Sequence, residues 1–490
     1  MNYLMRFCLF LCLFGLFTNR AIALDVLYPQ QKHHSTISNV TYVMGNVHPT
    51  SELTINGEKV KVWPNGAYCK TCQLKPGHNV FKIVEKRGSK CYTDEYSVTR
   101  IYVEKKPSSA SSVKESPKIE KFDNLQYSTV ITDGAPVRES YSTYAERITH
   151  LPLNTILFIE GKYKDWYKIF ANDNDCEYWI HEKNIKIIYP LNSYPVSSVQ
   201  NVYFSKDKDF SQMKISLEFP ILFKTQEENN NIYVTLLGIG NLPFLENETA
   251  KQEVFPGMKV VKRENNNLTL YIPSNSVLWG YEANYDGNNF IFRKRNTPNI
   301  NKNYPLKNII ITIDPGHGGK ELGTVGPTRI PEKEVNLKIS TYLKKQLEAE
   351  GAKVIMTRED DSYVDLYRRP DIANENNSLI CLSIHANSLV DKDPYEKHGV
   401  STFYYHPQAK ELAHQIKLQM MKDLKLKDDW HRRASFVLTR PTMPVSVLVE
   451  VAYMPNPEEY MLLTDENFQQ KAAKSIVEGL KNYMRSITQQ

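Results

Sequence analysis

The sequence lacks several features that would assign it at once to a familiar class. After residue 17, no apolar run reaches the ~20 residues that a membrane-spanning helix needs, so we expect no stable membrane insertion of the body of the chain. The net charge is only +6 over 490 residues. This excess is too small to indicate nucleic-acid binding, and it is compatible with an anionic polymer as partner. No segment recurs at a fixed period, which argues against a repeat architecture.

Cysteine is scarce, and three of the cysteines lie near one another in the first predicted domain. Of seven cysteines, Cys8 and Cys12 lie in the apolar N-terminus. In the oxidising environment outside the cytoplasm, the CKTC motif at residues 69–72, together with Cys91, suggests a disulfide in the first domain. A redox pair or half a zinc site is disfavoured, because no second CxxC and no thioredoxin-like pattern accompanies it. Cys381 stands between apolar neighbours and is interpreted as a packing residue.

The N-terminus has the three parts of an export signal. Arg6 supplies a positive charge, residues 7–17 form the apolar core, and Ala21-Ile22-Ala23 is a small-residue cleavage site. Residues 1–23 are therefore predicted to be a signal peptide, with an uncleaved membrane anchor as the alternative. An exported protein acts in the periplasm or at the extracellular cell wall. We favour the periplasm, because no surface-anchoring motif is visible.

The length predicts three or four folding units, and the first three are expected to be small all-β domains. Residues 24–103 alternate apolar and polar in short runs around an Asn-Gly turn, which is typical of a β-sandwich. Residues 104–122, rich in Lys, Ser and Pro, are a linker that buries too little apolar surface to fold alone. Residues 123–190 and 195–296 are again short strands. The first domain resembles immunoglobulin-like modules, and the second resembles bacterial SH3-like barrels through its Val-Arg, Trp-Tyr-x-Ile and Trp-Ile elements.

The pattern changes at Leu306 to alternating strands and helices, which predicts an α/β domain over residues 306–488 with a mostly parallel sheet covered by helices. Three apolar, strand-like runs end in residues that can bind a metal, namely His317, His385 and Glu450. A predicted helix over residues 332–350 begins with Glu332. Carboxyl ends of strands in such sheets meet at one crevice, where active sites lie.

The ordered motifs of this domain resemble the zinc-dependent N-acetylmuramoyl-L-alanine amidases of the Amidase_3 type. The matching segments are Asp314–Gly319, Glu332–Leu337, Val354–Arg358, Leu366 with Arg369 and Ala373-Asn374, Ser383–Asn387, and Leu448–Glu450. The resemblance implies that His317, Glu332 and His385 bind one Zn²⁺ ion. It also implies that Glu450 is the catalytic carboxylate, and it makes Arg369 and Asn387 candidate substrate contacts. Residues 195–296 are similar to the β domains that precede such amidases.

The chemistry of these residue types agrees with that assignment. A catalytic zinc takes three protein ligands and leaves a position for water, and Glu450 can move the protons that amide hydrolysis requires. These residue types also fit other roles. Glu332 could simply complement the dipole of its helix, Glu334 could replace it as ligand, and Glu450 could be a solvated charge. Departures from the family pattern, at Glu321 and Gly323-Thr324, lie outside the implied ligand set.

The sequence therefore predicts an exported peptidoglycan hydrolase. It would cut the amide bond between the lactyl group of N-acetylmuramic acid and L-alanine, in wall turnover or cell separation. One alternative is a non-catalytic peptidoglycan-binding protein on an amidase scaffold, and another is a zinc peptidase acting within the stem peptide. The segment from Tyr405 to Phe436 is too short for an inhibitory helix, so we expect any restraint to come from the N-terminal β domains or from localisation. No oligomeric state is predicted.

Overall fold

The computed structural model describes residues 24–101, 118–274 and 276–488. The predicted signal peptide and most of the predicted linker lie outside the described residues. Within those described ranges, no helix combines the length and the apolar character needed to cross a bilayer.

The first β domain, residues 25–100, consists of two sheets. A three-stranded sheet has the order β1-β3-β6 and a five-stranded sheet has the order β2-β8-β7-β4-β5, with an apolar core that includes Val43, Leu53 and Ile83. Asn56 and Gly57 both have positive φ between β4 and β5, which confirms the predicted hairpin turn. The strands are β1 Asp25–Tyr28, β2 His33–Thr36, β3 Val40–Asn46, β4 Glu52–Ile55, β5 Glu58–Val60, β6 Ala67–Gln73, β7 Gly77–Arg87 and β8 Lys90–Arg100.

The expected disulfide in this domain was wrong, because all five cysteines of the described residues are free. Cys69 and Cys72 are three residues apart on β6, and side chains of a strand alternate between its faces. Cys72 accordingly joins the core between the sheets, whereas Cys69 packs with Tyr42 and Met44 on the other face. Cys91 is exposed at the start of β8.

The middle β unit, residues 120–295, contains a seven-stranded sheet followed by a five-stranded and a four-stranded sheet. One continuous apolar cluster runs through all of them, from Val130 to Phe292, so the second and third predicted domains share a core. The strands are β9 Glu120–Val130, β10 Ala135–Arg138, β11 Arg147–Leu151, β12 Ile156–Tyr163, β13 Trp166–Ile169, β14 Tyr178–His181, β15 Ile185–Leu191, β16 Ser197–Lys206, β17 Phe210–Leu217, β18 Phe223–Glu228, β19 Asn231–Leu237, β20 Ile239–Gly240, β21 Lys259–Glu264, β22 Asn267–Ile272, β23 Tyr281–Asp286 and β24 Asn289–Arg295. A helix that the sequence pattern did not predict, α1 Leu242–Lys251, lies between β20 and β21.

The C-terminal domain, residues 306–488, is built on one six-stranded sheet of order β26-β25-β27-β30-β28-β29. The first four strands in that order are parallel, β28 is antiparallel to β30, and the edge strand β29 is parallel to β28. The strands are β25 Ile310–Pro315, β26 Lys353–Met356, β27 Ile380–Asn387, β28 Val400–Tyr404, β29 Asp428–Arg433 and β30 Val445–Tyr453. The helices are α2 Glu332–Ala349, α3 Arg368–Glu375, α4 Lys410–Leu424, α5 Pro457–Thr464 and α6 Glu466–Ile487.

Helices α2 and α4 both pack against α6. The apolar stripe predicted for α2 is buried at Val335, Ile339, Leu343 and Leu347, as a 3.6-residue period requires. The close approach of α4 and α6 depends on Gly479, because a Cβ there would lie 2.6 Å from the backbone of Ile416. The parallel pairing of β26, β25, β27 and β30 places the carboxyl ends of these strands at one edge of the sheet.

Candidate metal centre and active site

The turn after β25 directs His317 into the crevice at the carboxyl ends of the strands. His317 itself has a φ of 63°, and Gly318 and Gly319 follow with φ of 137° and 54°, a left-handed path that glycine adopts at little cost. Gly316 is required for a different reason, since a Cβ on it would lie 2.2 Å from the ring of His385. The glycines of the motif therefore shape the turn and let the second histidine approach its backbone.

Glu332 begins α2, and its carboxylate is only 4% exposed. Oε1 lies 3.2 Å from Nε2 of His317 and 3.0 Å from Nδ1 of His385, and it also accepts a hydrogen bond from Nδ2 of Asn336. Oε2 accepts one from the backbone N–H of Thr324 at 2.9 Å. These bonds orient the carboxylate between the two imidazoles, so Glu332 does more than complement a helix dipole.

The three side chains form a site that fits a zinc ion. One ligand atom from each of His317, Glu332 and His385 lies within 4.8 Å of the others, and the two imidazole rings are 5.0 Å apart at 80°. Two imidazoles and one carboxylate are a known donor set of catalytic zinc. Among the described residues this is the one such cluster of three potential ligands.

The buried carboxylate of Glu332 is stabilised by a positive charge beside it. Burial would raise the pKa of Glu332, but hydrogen bonds from His317 and His385 hold the pKa well below its usual value. Burial would lower the pKa of His385, but the hydrogen bond and charge of Glu332 raise that pKa to about 9. A buried carboxylate needs a cation beside it, and either a proton on imidazole or a metal ion can meet that need.

Glu450 lies on β30 as the direct neighbour of His385 on β27. Burial raises the pKa of Glu450 to about 7. The charge of Glu332 adds to this rise, whereas the charge of His385 opposes it. Its Oε2 is buried and has no hydrogen-bond partner among the described residues. A carboxyl group with a pKa near neutrality can both take up and release a proton.

Arg369 is 3% exposed and turned inward. Its guanidinium donates to Oδ1 of Asp314 at 2.8 Å and to the backbone carbonyls of Pro315, His317 and Val364. Arg358 likewise donates to the carbonyls of Pro315 and Gly316. Both arginines brace the turn that carries His317, and this burial favours an internal role for Arg369 over contact with a bulky substrate.

Asn387, the other candidate substrate contact, lies at the end of β27 and is partly exposed. Its Oδ1 accepts the backbone N–H of Ser388 at 2.8 Å. Its Nδ2 has no partner among the residues that the structure describes, so the amide can still donate to a ligand at the crevice.

Asp314 is a functional residue that the sequence reasoning did not single out. Its fully buried carboxylate accepts hydrogen bonds from Thr357 at 2.6 Å, Ser383 at 2.7 Å and Arg369 at 2.8 Å. It thereby links β25, β27, α3 and the residue after β26, next to the turn that carries His317. The signal in the sequence was a polar residue within each of two mainly apolar strands, Asp314 in β25 and Ser383 in β27, and a third, Thr357, directly after β26.

Comparison with known proteins identifies the same region. Residues 311–482 match the Amidase_3 family, described as N-acetylmuramoyl-L-alanine amidase. The chain is 34% identical over 187 residues to the probable cell wall amidase LytH of Staphylococcus aureus. That match covers 38% of this chain and 62% of LytH, so the chain spans less than two thirds of the length of the curated relatives that it matches.

Two solved structures are also similar to this domain. The amidase AmiC2 of Nostoc punctiforme is 33% identical, with 38% of this chain and 99% of that chain covered and a TM-score of 0.35. The catalytic domain of CwlV, an amidase from Bacillus (Paenibacillus) polymyxa, is 30% identical, with 36% and 99% covered and a TM-score of 0.35.

Proposed function

Because the C-terminal domain of this chain belongs to the N-acetylmuramoyl-L-alanine amidase family, we propose that the protein is an exported zinc amidase of peptidoglycan. It cleaves the amide bond between the lactyl group of N-acetylmuramic acid and L-alanine of the stem peptide. The observation that carries this proposal is the convergence of His317, Glu332 and His385 beside Glu450 on the neighbouring strand.

In this proposal His317, Glu332 and His385 hold the zinc ion. When bound, zinc polarises the amide carbonyl and lowers the pKa of a water molecule towards ~7. Glu450 accepts a proton as the water attacks the carbonyl carbon. It then donates a proton to the nitrogen of L-alanine as the C–N bond breaks, which makes the amine a competent leaving group. The raised pKa of Glu450, about 7, suits it to both steps.

Other residues of the domain hold the proposed zinc ligands in position. Asp314, Arg358 and Arg369 keep the turn of His317 rigid, and Asn336 with Thr324 fixes the carboxylate of Glu332. Catalytic groups need this kind of support, because small displacements cost large factors in rate. Asn387 offers an amide N–H to the peptide or the lactyl group.

We also propose that the β domains hold the enzyme on the wall, with the first resembling an immunoglobulin-like module and the second an SH3-like barrel. Export places the protein in the periplasm or at the extracellular cell wall. Its biological use is wall turnover or the separation of daughter cells.

The test is digestion of purified peptidoglycan by zinc-loaded protein from residue 24 onward, with the products read by mass spectrometry. We expect free stem peptides that begin with L-alanine, together with peptide-free glycan. Glu450→Gln keeps the shape of the side chain and should retain zinc while activity falls by about 10²–10⁴. His385→Ala should lose both zinc and activity.

Two other results would reject the proposal. Shortened peptides still attached to glycan would make the protein a zinc peptidase. Tight binding of peptidoglycan without any cleavage by the zinc-loaded full-length enzyme would make it a binding protein on an amidase scaffold.

A further inference from the structure

We propose that Trp430, Lys397 and Arg432, the edge cluster, form a subsite for a carboxylate on the peptide arm of the substrate. This proposal rests on the proposed amidase function. It adds to that function a recognition element on the edge strand β29, at a distance from the metal ligands.

The pairing of the strands places the edge cluster in line with the active site. His385 on β27 pairs with Glu450 on β30, Glu450 pairs with Ser401 on β28, and Ser401 pairs with Trp430 on β29. Paired residues of a sheet project from the same face, and neighbouring strands are ~4.8 Å apart. Trp430 therefore stands two strands from Glu450, about 10 Å along the same row.

The neighbouring residue on β29 supports this orientation. His431 lies 3.0 Å from the hydroxyl of Thr402 and stacks near His414 of α4, so it points to the face covered by that helix. Side chains alternate along a strand. Trp430 and Arg432 therefore point to the opposite face, which is the face that carries Ser401 and Glu450.

Two cations flank the indole of Trp430, which is 38% exposed. The guanidinium of Arg432 is 4.4 Å from the ring centroid and Nζ of Lys397 is 5.1 Å from it. Neither cation forms an ion pair with a carboxylate within the described residues. The nearby carboxylate of Asp429 is engaged elsewhere, because it accepts the hydroxyls of Ser401 at 3.0 Å and Tyr453 at 2.6 Å.

This chemistry selects an anionic group attached to an apolar stem. Arginine and lysine bind carboxylates through charge-assisted hydrogen bonds, and the exposed indole covers the apolar part of the same side chain. An extended peptide rises ~3.3 Å per residue. With the scissile amide at Glu450, a carboxylate on the second or third residue of the peptide reaches the edge cluster.

The experiment compares two synthetic muramyl peptides that differ only at the second and third residues, one with free carboxylates and one with carboxamides. Zinc-loaded wild-type protein should cleave the carboxylate peptide with a KM lower by about tenfold, as one charge-assisted contact provides. Lys397→Met with Arg432→Gln should raise the KM for the carboxylate peptide to that of the carboxamide peptide, with kcat unchanged. The conservative pair Lys397→Arg with Arg432→Lys should retain most of the preference.

Lys422→Met, which removes an exposed lysine from α4, is the matched control and should leave both KM values unchanged. Zinc content and circular dichroism verify that each variant is folded. Two outcomes would overturn the proposed role of the edge cluster without affecting the proposed amidase function. One is equal KM values for the two peptides in the wild-type enzyme, and the other is a loss of activity on both peptides in the charge-removing variant. Failure of the wild-type enzyme on both peptides would instead reject the amidase function and this inference together.

Discussion

The first β domain and the middle β unit contact the C-terminal domain at opposite ends of its sheet, and they do so with different chemistry. The first β domain contacts the loops after β25 and β27, at the carboxyl ends of the strands where the candidate metal site lies. The middle β unit contacts the segments before β27 and β30, at the other end. At the site end these contacts include hydrogen bonds and an ion pair. The far end also has hydrogen bonds and ion pairs, but it adds the burial of Trp279 in the core of the C-terminal domain.

At the site end, Asp391 is the centre of the contact. Its carboxylate accepts hydrogen bonds from the hydroxyls of Tyr28 at 2.7 Å and Thr41 at 2.9 Å and from the ring N–H of His34 at 3.0 Å. Asp25 binds Arg329 through two bonds of 2.7 Å. These contacts join the first β domain to both loops that border the candidate metal ligands, which is the arrangement expected if that domain influences the site.

At the far end, Trp279 of the middle β unit is 1% exposed and belongs to the core of the C-terminal domain. Its ring lies 6.1 Å from that of Tyr483 on α6. Arg295 adds a hydrogen bond to the carbonyl of Ser378. Burial of a large aromatic side chain stabilises more than exposed polar contacts do, so the middle β unit should behave as part of the same folding unit as the C-terminal domain.

The largest expected effect is that of Trp279→Ala. Removing this buried ring should lower the free energy of unfolding by about 3–5 kcal/mol, and hydrogen exchange should show lost protection in α6 around Tyr483. Trp430→Ala, which removes a 38% exposed ring, is the control and should change stability by less than ~1 kcal/mol. Equal effects of the two substitutions would contradict the apolar attachment.

Asp391→Ala should have the next largest effect, at the site end. The loss of three hydrogen bonds to a charged group should destabilise the contact by about 2–4 kcal/mol, and hydrogen exchange should rise in residues 388–398. If the first β domain influences the site, the rate of peptidoglycan cleavage should change as well.

The control for Asp391 is Asp94→Ala, which breaks an ion pair with Lys32 within the first β domain. It should leave both the exchange of residues 388–398 and the rate unchanged. An unchanged rate in Asp391→Ala despite a loosened contact would show that the first β domain is attached to the site without controlling it.

Glu459 should make the stability of the site end depend on pH. Burial raises its pKa to about 7, although the backbone N–H groups of Tyr453 and Gly399 lower it. Between about pH 4.5 and 7, the folded chain thus holds a proton that the unfolded chain has lost. The stabilisation by the protonated Glu459 carboxyl is complete below about pH 4.5, and it is lost as the pH rises from there through about 7. In denaturant titrations at several pH values, Glu459→Gln should reduce the loss of stability over this window by on the order of 1–3 kcal/mol. The part due to Glu450, whose pKa is also raised to about 7, should remain. An unaltered slope in Glu459→Gln would show that Glu459 does not contribute to it.

The smallest effect is expected at an exposed ion pair of the far end. Glu146 contacts Arg433 at 2.5 Å and the hydroxyl of Tyr405, but the side chains of Glu146 and Arg433 are 38% and 51% exposed. Solvent screens such pairs, so Glu146→Gln should cost less than ~1 kcal/mol. A larger loss in thermal unfolding would mean that polar contacts, as well as Trp279, hold the far end together.

Local pattern was sufficient for several elements of this protein. The stripe Val335, Ile339, Leu343 and Leu347 predicted α2, with Gly351 after its end in the left-handed region at φ 85°. The Asn-Gly turn predicted the first hairpin. Such elements are encoded by neighbours in sequence, because the period of apolar residues and the conformational freedom of glycine act over a few residues.

Other features depended on residues far apart in the chain. The cysteines of the CKTC motif point to opposite faces of β6 and do not pair, and the two middle domains share one core. The inward orientation of Arg369 and the bracing role of Asp314 are likewise decided by contacts across four elements. The spacing of apolar residues along the chain does not show which helices, strands and domains pack against each other.

By itself, then, the sequence determined the α/β character of the C-terminal domain and the identity of the candidate ligands His317, Glu332 and His385, because strand ends and motif order are local properties. Only the tertiary structure decided that these side chains meet within 4.8 Å and that Glu450 is buried beside them. It also decided that the first β domain reaches the loops around them while the middle β unit joins the opposite end. Distance, burial and charge balance are properties of packed surfaces, and they arise only when distant parts of the chain come together.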